Sequence, residues 1–123
     1  VAWEVEFTDE FERWWNGLSQ EEQDKIDSAV GLLERLGPNL DFPHSSGVNS
    51  RHDHMRELRV QIKRKPFRIL YAFDSRRVAI LLLGGDKTGD DRWYEVKVPE
   101  AGRLYDLHLS RLKKKTRKTK GST

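Results

Sequence analysis

Three isolated cations stand at strand positions: Arg59 on the polar face of MRELRV, Arg68 inside the apolar FRILYAF, and Lys87 at a strand end, in the GGDKTG that follows VAILLL. A charge in such a place needs a partner or an open cleft, because stripping it of water alone is costly. Two readings follow. Arg68 pairs with Glu57 or Asp86 as a structural salt bridge, or the cations converge on a phosphate and clamp it.

Other chemistries find less support. His52-Asp53-His54 lacks the helical HExxH spacing of a zinc site, and His44 and His108 have no evident place in one. GGDKTG has neither the GxxxxGK[ST] spacing of a nucleotide-binding loop nor a clear helix straight after it. There is no Gly-x-Ser-x-Gly elbow, and with no Cys the chain has no thiolate ligand or disulfide. No metal and no cofactor are expected.

The elements that must position these cations read as an α+β order. Trp3, Val5 and Phe7 alternate with Glu4 and Glu6, the period of a half-buried strand. Phe11, Trp14, Trp15 and Leu18 then recur at helical spacing behind a Thr8 or Asp9 cap, a stripe that belongs in a core. Ser19 with Glu22 forms a capping box for a second helix, which Gly37-Pro38 closes. Residues 38–54 are rich in Pro, Gly, Ser, Asn and His and are expected to form a long loop.

An antiparallel meander follows. In residues 55–62, Leu58, Val60 and Ile62 point one way and Glu57, Arg59 and Gln61 the other, since strand side chains alternate. Residues 67–73 and 78–83 supply two more strands. The unbroken VAILLL is expected at the centre of the sheet, covered on both faces, with the helices on one side. Trp93 and Tyr94 fall in a stretch without a clear period. Pro99 suits a first helical position, and Leu104, Tyr105, Leu107, Leu109 and Leu112 support a closing helix.

The 123 residues suit one domain, expected over 1–112, with 113–123 an unstructured basic tail. The net charge of +3 hides segregation: residues 1–50 hold 3 basic and 11 acidic side chains, residues 51–97 hold 12 and 7, and residues 111–123 hold 7 and none. A basic middle and tail favour a polyanionic partner. The opening residues lack a leader pattern and no run approaches the roughly 20 apolar residues of a membrane span, so a cytoplasmic location with no membrane contact is expected.

The order strand, two helices, loop, MRELRV, FRILYAFD, LLLGGDKTG, WYE and a Leu-rich helix resembles the RelE/ParE toxin superfamily, and within it the HigB-like, phage-derived branch, over about residues 2–112. The resemblance implies a RelE-like fold: an N-terminal strand and antiparallel helix pair on a small, mainly antiparallel sheet, with a C-terminal helix. It implies a type II toxin that cuts mRNA on the ribosome without metal, partnered by a HigA-like helix-turn-helix antitoxin. Alternatives within the fold are a ParE-like poison of DNA gyrase and a domain that only binds RNA or its antitoxin.

Carried onto this sequence, the resemblance matches Arg59, Arg68 and Lys87 to basic site positions and Trp93 or Tyr94 to an aromatic one, and we expect Arg68 as phosphate clamp, Lys87 as clamp or acid, Tyr94 as acid or stacking group, and Glu57 as a base oriented by Arg59. Glu57 stands where several relatives carry a basic residue. Trp93 is expected as a platform for a base, with Arg56, Lys63, Arg64, Lys65, Arg92 and His54 contacting RNA. The reaction is attack of a 2′-hydroxyl on its own 3′ phosphate, leaving a 2′,3′-cyclic phosphate and a 5′-hydroxyl. It needs a base, an acid and donors for the phosphorane's charge. Arg68 and Lys87 must then meet in one cleft, and Arg68→Ala or Lys87→Ala should abolish growth arrest with the fold intact.

Overall fold

The computed structural model describes residues 2–121, with side chains through residue 115. Strand β1 (Val5–Phe7) leads into α1 (Asp9–Asn16), whose Thr8 cap accepts the Phe11 N–H at 3.0 Å. Ser19 and Glu22 form the capping box of α2 (Gln20–Leu36). Gly37, at φ 54°, then turns the chain where a Cβ would strike the Trp3 ring. Strands β2 (Ser45–Gly47), β3 (Arg56–Ile62), β4 (Lys65–Phe73) and β5 (Ala79–Asp86) follow, and α3 runs from Trp93 to Gly121.

The sheet has the order β1-β5-β4-β3-β2, with β1 parallel to β5 and every other pair antiparallel. As the VAILLL run implied, β5 is interior and covered twice. Ala79 and Leu81 pack with Phe11, Ile26 and Leu33, whereas Ile80 and Leu82 pack with Trp93, Val98, Ala101 and Leu104. The helices therefore lie on both faces, correcting the one-sided expectation. A strand apolar on both sides needs two covers, and α3 supplies the second.

Three other expectations change. The first strand starts at Val5, because the Trp3 N–H is drawn to the Glu34 carbonyl at 2.7 Å while the Arg77 guanidinium sits 4.4 Å over its ring. Within the long loop, Ser45–Gly47 adds an edge strand to β3. The closing helix begins at Trp93, six residues before Pro99, and its backbone continues through Gly121 across most of the expected tail. Lys and Arg are good helix formers, so a segment without an apolar pattern can extend a helix nucleated elsewhere. Residues 122 and 123 lie outside the described ones.

Asp74 ties these layers together. Its carboxylate, with no exposed side-chain surface, accepts from Arg76, His108 and the Arg76 and Val78 amides, and Arg76 reaches on to Glu6 of β1. Burial pushes the carboxyl up, but the hydrogen bonds outweigh it and hold it below the usual value. A depressed carboxyl contributes stability above its unfolded pKa of about 3.9 that is lost as pH falls through the folded value. Chemical denaturation at stepped pH should therefore show a steeper loss below about pH 4 for the native chain than for Asp74→Asn. Parallel acid limbs would remove Asp74 from this role.

Candidate functional site

The face of the sheet turned toward α3 carries the polar set. Register places Arg59 opposite Arg68 and Arg68 opposite Gly85, a row across β3, β4 and β5. Gly85 is required there, since a Cβ would lie 2.7 Å from the Trp93 indole nitrogen. With Trp93 seated over Gly85, the next residue, Tyr94, reaches the row and donates its hydroxyl to Glu57 Oε1 at 2.6 Å.

Glu57, only 4% exposed, is the hub. Its Oε2 accepts from Ser46 Oγ at 2.6 Å and Arg59 NH1 at 3.2 Å, while Arg68 Nε lies 3.5 Å from Oε1. That last contact is an ion pair without a hydrogen bond, and among the described residues the buried Nε–H has no hydrogen-bond partner. Arg68 NH1 donates to the Phe67 carbonyl at 2.9 Å. Lys87 Nζ lies 5.7 Å from the centre of the Tyr94 ring. Burial, then the bond to Glu57, raises the Tyr94 phenol above its usual pKa against the opposing pull of Arg68, so its proton stays on at neutral pH.

The five catalytic candidates, Glu57, Arg59, Arg68, Lys87 and Tyr94, thus gather at one place, but with altered parts. Arg68 has 8% of its side chain exposed and is paired with Glu57, the first of the two readings open to it, while Asp86 binds Thr88 instead. It is no open clamp, and the expectation that Arg68→Ala leaves the fold intact is withdrawn, since the change would strand a buried carboxylate. Arg59 NH1 does reach Glu57 Oε2. As a base, however, Glu57 is enclosed, with both oxygens engaged. The cations still reachable are Arg59, with 30% of its side chain exposed, and the half-buried Lys87.

The expected RNA contacts divide. Trp93, 3% exposed, belongs to the core and offers no face to a base; at the start of α3, helical rise turns it inward. Arg56 sits on the other face of β3, bound to Ser45 Oγ at 3.0 Å and the Leu40 carbonyl. His54 lines a cavity with Trp3, Phe73 and Arg77 at the far end of β4 from Lys65, because the β3–β4 register carries the chain before Arg56 that way. His52 turns to Asp106, away from His54. Exposed Lys63, Arg64 and Lys65 form the β3–β4 turn, joined to the Lys87 end of β5 by the Lys87 N–H to the Pro66 carbonyl at 3.1 Å. Lys63 pairs with Glu21 and Arg92 with Glu95, both in solvent.

Sequence reasoning missed Ser46 and Phe42, both in the segment taken for loop. Ser46 comes onto Glu57 only because β2 pairs the two in register. Phe42 lies under the Arg59 guanidinium, 5.2 Å from ring centre to carbon.

A small antiparallel sheet with a parallel N-terminal strand, a helix pair on one face and a closing helix on the other is a RelE-like α+β fold. The solved structures agree. The RelBE2 toxin-antitoxin complex of Mycobacterium tuberculosis superposes with a TM-score of 0.52 at 18% identity, covering 70% of this chain and 99% of that one. A mutant of E. coli toxin RelE in the free state gives 0.52 at 12% identity, covering 90% and 98%. At these identities the likeness is one of fold.

Sequence comparison goes further. The family model described as "Phage derived protein Gp49-like (DUF891)" matches residues 13–106. Two M. tuberculosis proteins named as toxins are similar: HigB3, 45% identical over 92 residues (73% of this chain, 79% of that protein), and HigB2, 37% identical over 126 residues. The HigB2 match takes in 98% of this chain, which spans only 62% of HigB2. The chain belongs to the phage-derived Gp49-like family, and its likeness to HigB3 agrees with the HigB-like branch that its motifs implied. Among the described residues no helix is long and apolar enough to cross a membrane.

Proposed function

We propose that this chain is the toxin of a type II toxin-antitoxin pair and cuts mRNA while the ribosome holds it, acting in the cytoplasm. The observation that carries the reading is the gathering of two reachable cations, Arg59 and Lys87, around a protonated phenol on one sheet face. In the reaction the RNA 2′-oxygen forms a bond to its 3′ phosphorus and the bond to the 5′-oxygen breaks. Arg59 and Lys87 hold the charge of the phosphorane, and Tyr94 gives its proton to the departing 5′-oxygen, leaving a phenolate beside Arg68 and Lys87. The 2′ proton passes to water. Glu57 acts as a positioning residue, fixing Arg59, Arg68 and Tyr94 from beneath.

A site with acid and cations but an enclosed carboxylate depends on its substrate arriving in reactive geometry. Positioning can supply about 7–11 kcal/mol, a contribution assigned here to the ribosome, so free RNA should be a poor substrate. The antitoxin would be a HigA-like helix-turn-helix protein, a reading supported by the HigB relatives and by the antitoxin-bound RelBE2 neighbour. Primer extension on translated messages after induction should reveal discrete cuts within codons. Intact messages with DNA damage would instead establish a gyrase poison, and normal growth a domain that only binds.

A further inference from the structure

Three aromatic side chains stand at the Glu57 cluster, and two are committed. Trp93 is enclosed in the core, and Tyr94 has its hydroxyl on Glu57 and Lys87 over its ring. Phe42 remains 68% exposed, although a large apolar ring gains by burial and others in this chain have found it.

The backbone fixes the ring in this exposed place. The Phe42 N–H is bound by Asp41 Oδ1 at 2.8 Å, and the Asp41 carbonyl accepts the His44 and Ser45 N–H groups at 3.0 and 3.1 Å. The His44 carbonyl accepts the Arg59 N–H at 2.9 Å, docking the segment on β3, and Ser45 Oγ lies 2.7 Å from the buried Tyr71 hydroxyl. A platform held this way loses little conformational freedom when something settles on it.

Arg59 joins the ring to the chemistry. Its guanidinium lies over Phe42 and, through NH1, is tied to Glu57, so the ring is a direct neighbour of a cation assigned to the phosphate. We propose that Phe42 is the surface on which this site stacks a nucleobase of the strand it grips. One nucleotide can lay its base against the ring and present its phosphate to Arg59. Every base has a π face, so the contact tolerates sequence and places the sugar-phosphate rather than selecting a codon. This deepens the mRNA-cutting reading above and rests on it.

The test is cutting of ribosome-bound mRNA in a reconstituted translation system by the native chain, Phe42→Ala, Phe42→Leu and Phe42→Trp, with melting temperature and antitoxin binding followed in parallel. Phe42→Ala should need about 10- to 100-fold more protein for half-maximal cutting, the usual effect of losing one stacked base. Its limiting rate should change by less than about 3-fold, because Phe42 touches the base and not the reacting atoms. Phe42→Trp should restore half-saturation and Phe42→Leu should not, with all four chains melting alike. Native half-saturation in Phe42→Ala, equal rescue by Leu, loss confined to the limiting rate, or loss confined to antitoxin binding would each overturn the inference. Failure of the native chain to cut at all would overturn the functional reading beneath it, a result distinct from native cutting indifferent to residue 42.

Discussion

Glu57→Ala is expected to lower folding stability by about 3–5 kcal/mol, the usual cost of removing one partner of a buried ion pair and leaving the other charge uncompensated. The carboxylate is 4% exposed, and its loss would strand Arg68, 6% exposed, while releasing the hydroxyls of Ser46 and Tyr94. The penalty belongs to the unpaired charge, so Glu57→Leu combined with Arg68→Met should recover much of it, and a double-mutant cycle should report strong coupling. Urea denaturation of the native chain, Glu57→Ala, Glu57→Leu, Arg68→Met and the double variant measures this. A single Glu57→Ala within about 1 kcal/mol of the native chain would show that Glu57 does not anchor the cluster.

Arg59→Ala and Lys87→Ala should do the reverse, sparing the fold and removing the activity. Neither cation is buried, and Glu57 keeps Arg68, Tyr94 and Ser46 when Arg59 is lost, so stability should change by no more than about 1 kcal/mol. Loss of one donor to a developing oxyanion typically costs about 100- to 1,000-fold in rate. Each substitution should therefore abolish growth arrest in cells inducing the chain without its antitoxin. Lys87→Ala is the cleaner of the two, because the Lys87 ammonium lies over the Tyr94 ring and, unlike the Arg59 guanidinium, is not tied to Glu57. Well-folded variants that still arrest growth would remove these cations from the chemistry.

Much of this arrangement was legible before any coordinates. Alternation in MRELRV places Glu57 and Arg59 on one face, and the lone charge in FRILYAF announces that Arg68 needs a partner there. Register then makes Arg59 and Arg68 neighbours. Which partner Arg68 takes depends on the β3–β4 register, which brings Glu57 within reach while Asp86 is held by Thr88, an outcome that periodicity does not carry. The platform role of Trp93 comes from the resemblance alone, and no local signal shows that Gly85 vacates the space its indole fills. The start of α3 was hidden by Pro99, which usually marks a first turn and here lies inside the helix.

Phe42 and Ser46 were invisible for a simpler reason. A three-residue edge strand is too short to show a period of two, and SSG has no apolar residue to reveal a face. The pairing of Ser45–Gly47 with β3 is what brings both residues to the cluster. The helix caps at Thr8 and Ser19, by contrast, are local signals and were read directly.

Arg59, Lys87 and the Tyr94 phenol on this one face are the parts proposed to break a phosphodiester through the RNA's own 2′-hydroxyl. The most direct measurement is the chemistry of the fragment ends when purified native chain and an Arg59→Ala, Lys87→Ala variant act on ribosome-bound mRNA. The native chain should leave 2′,3′-cyclic phosphate and 5′-hydroxyl ends, and the variant should leave the message whole. Fragments bearing 5′-phosphates, or native-rate cutting by the variant, would contradict that chemistry.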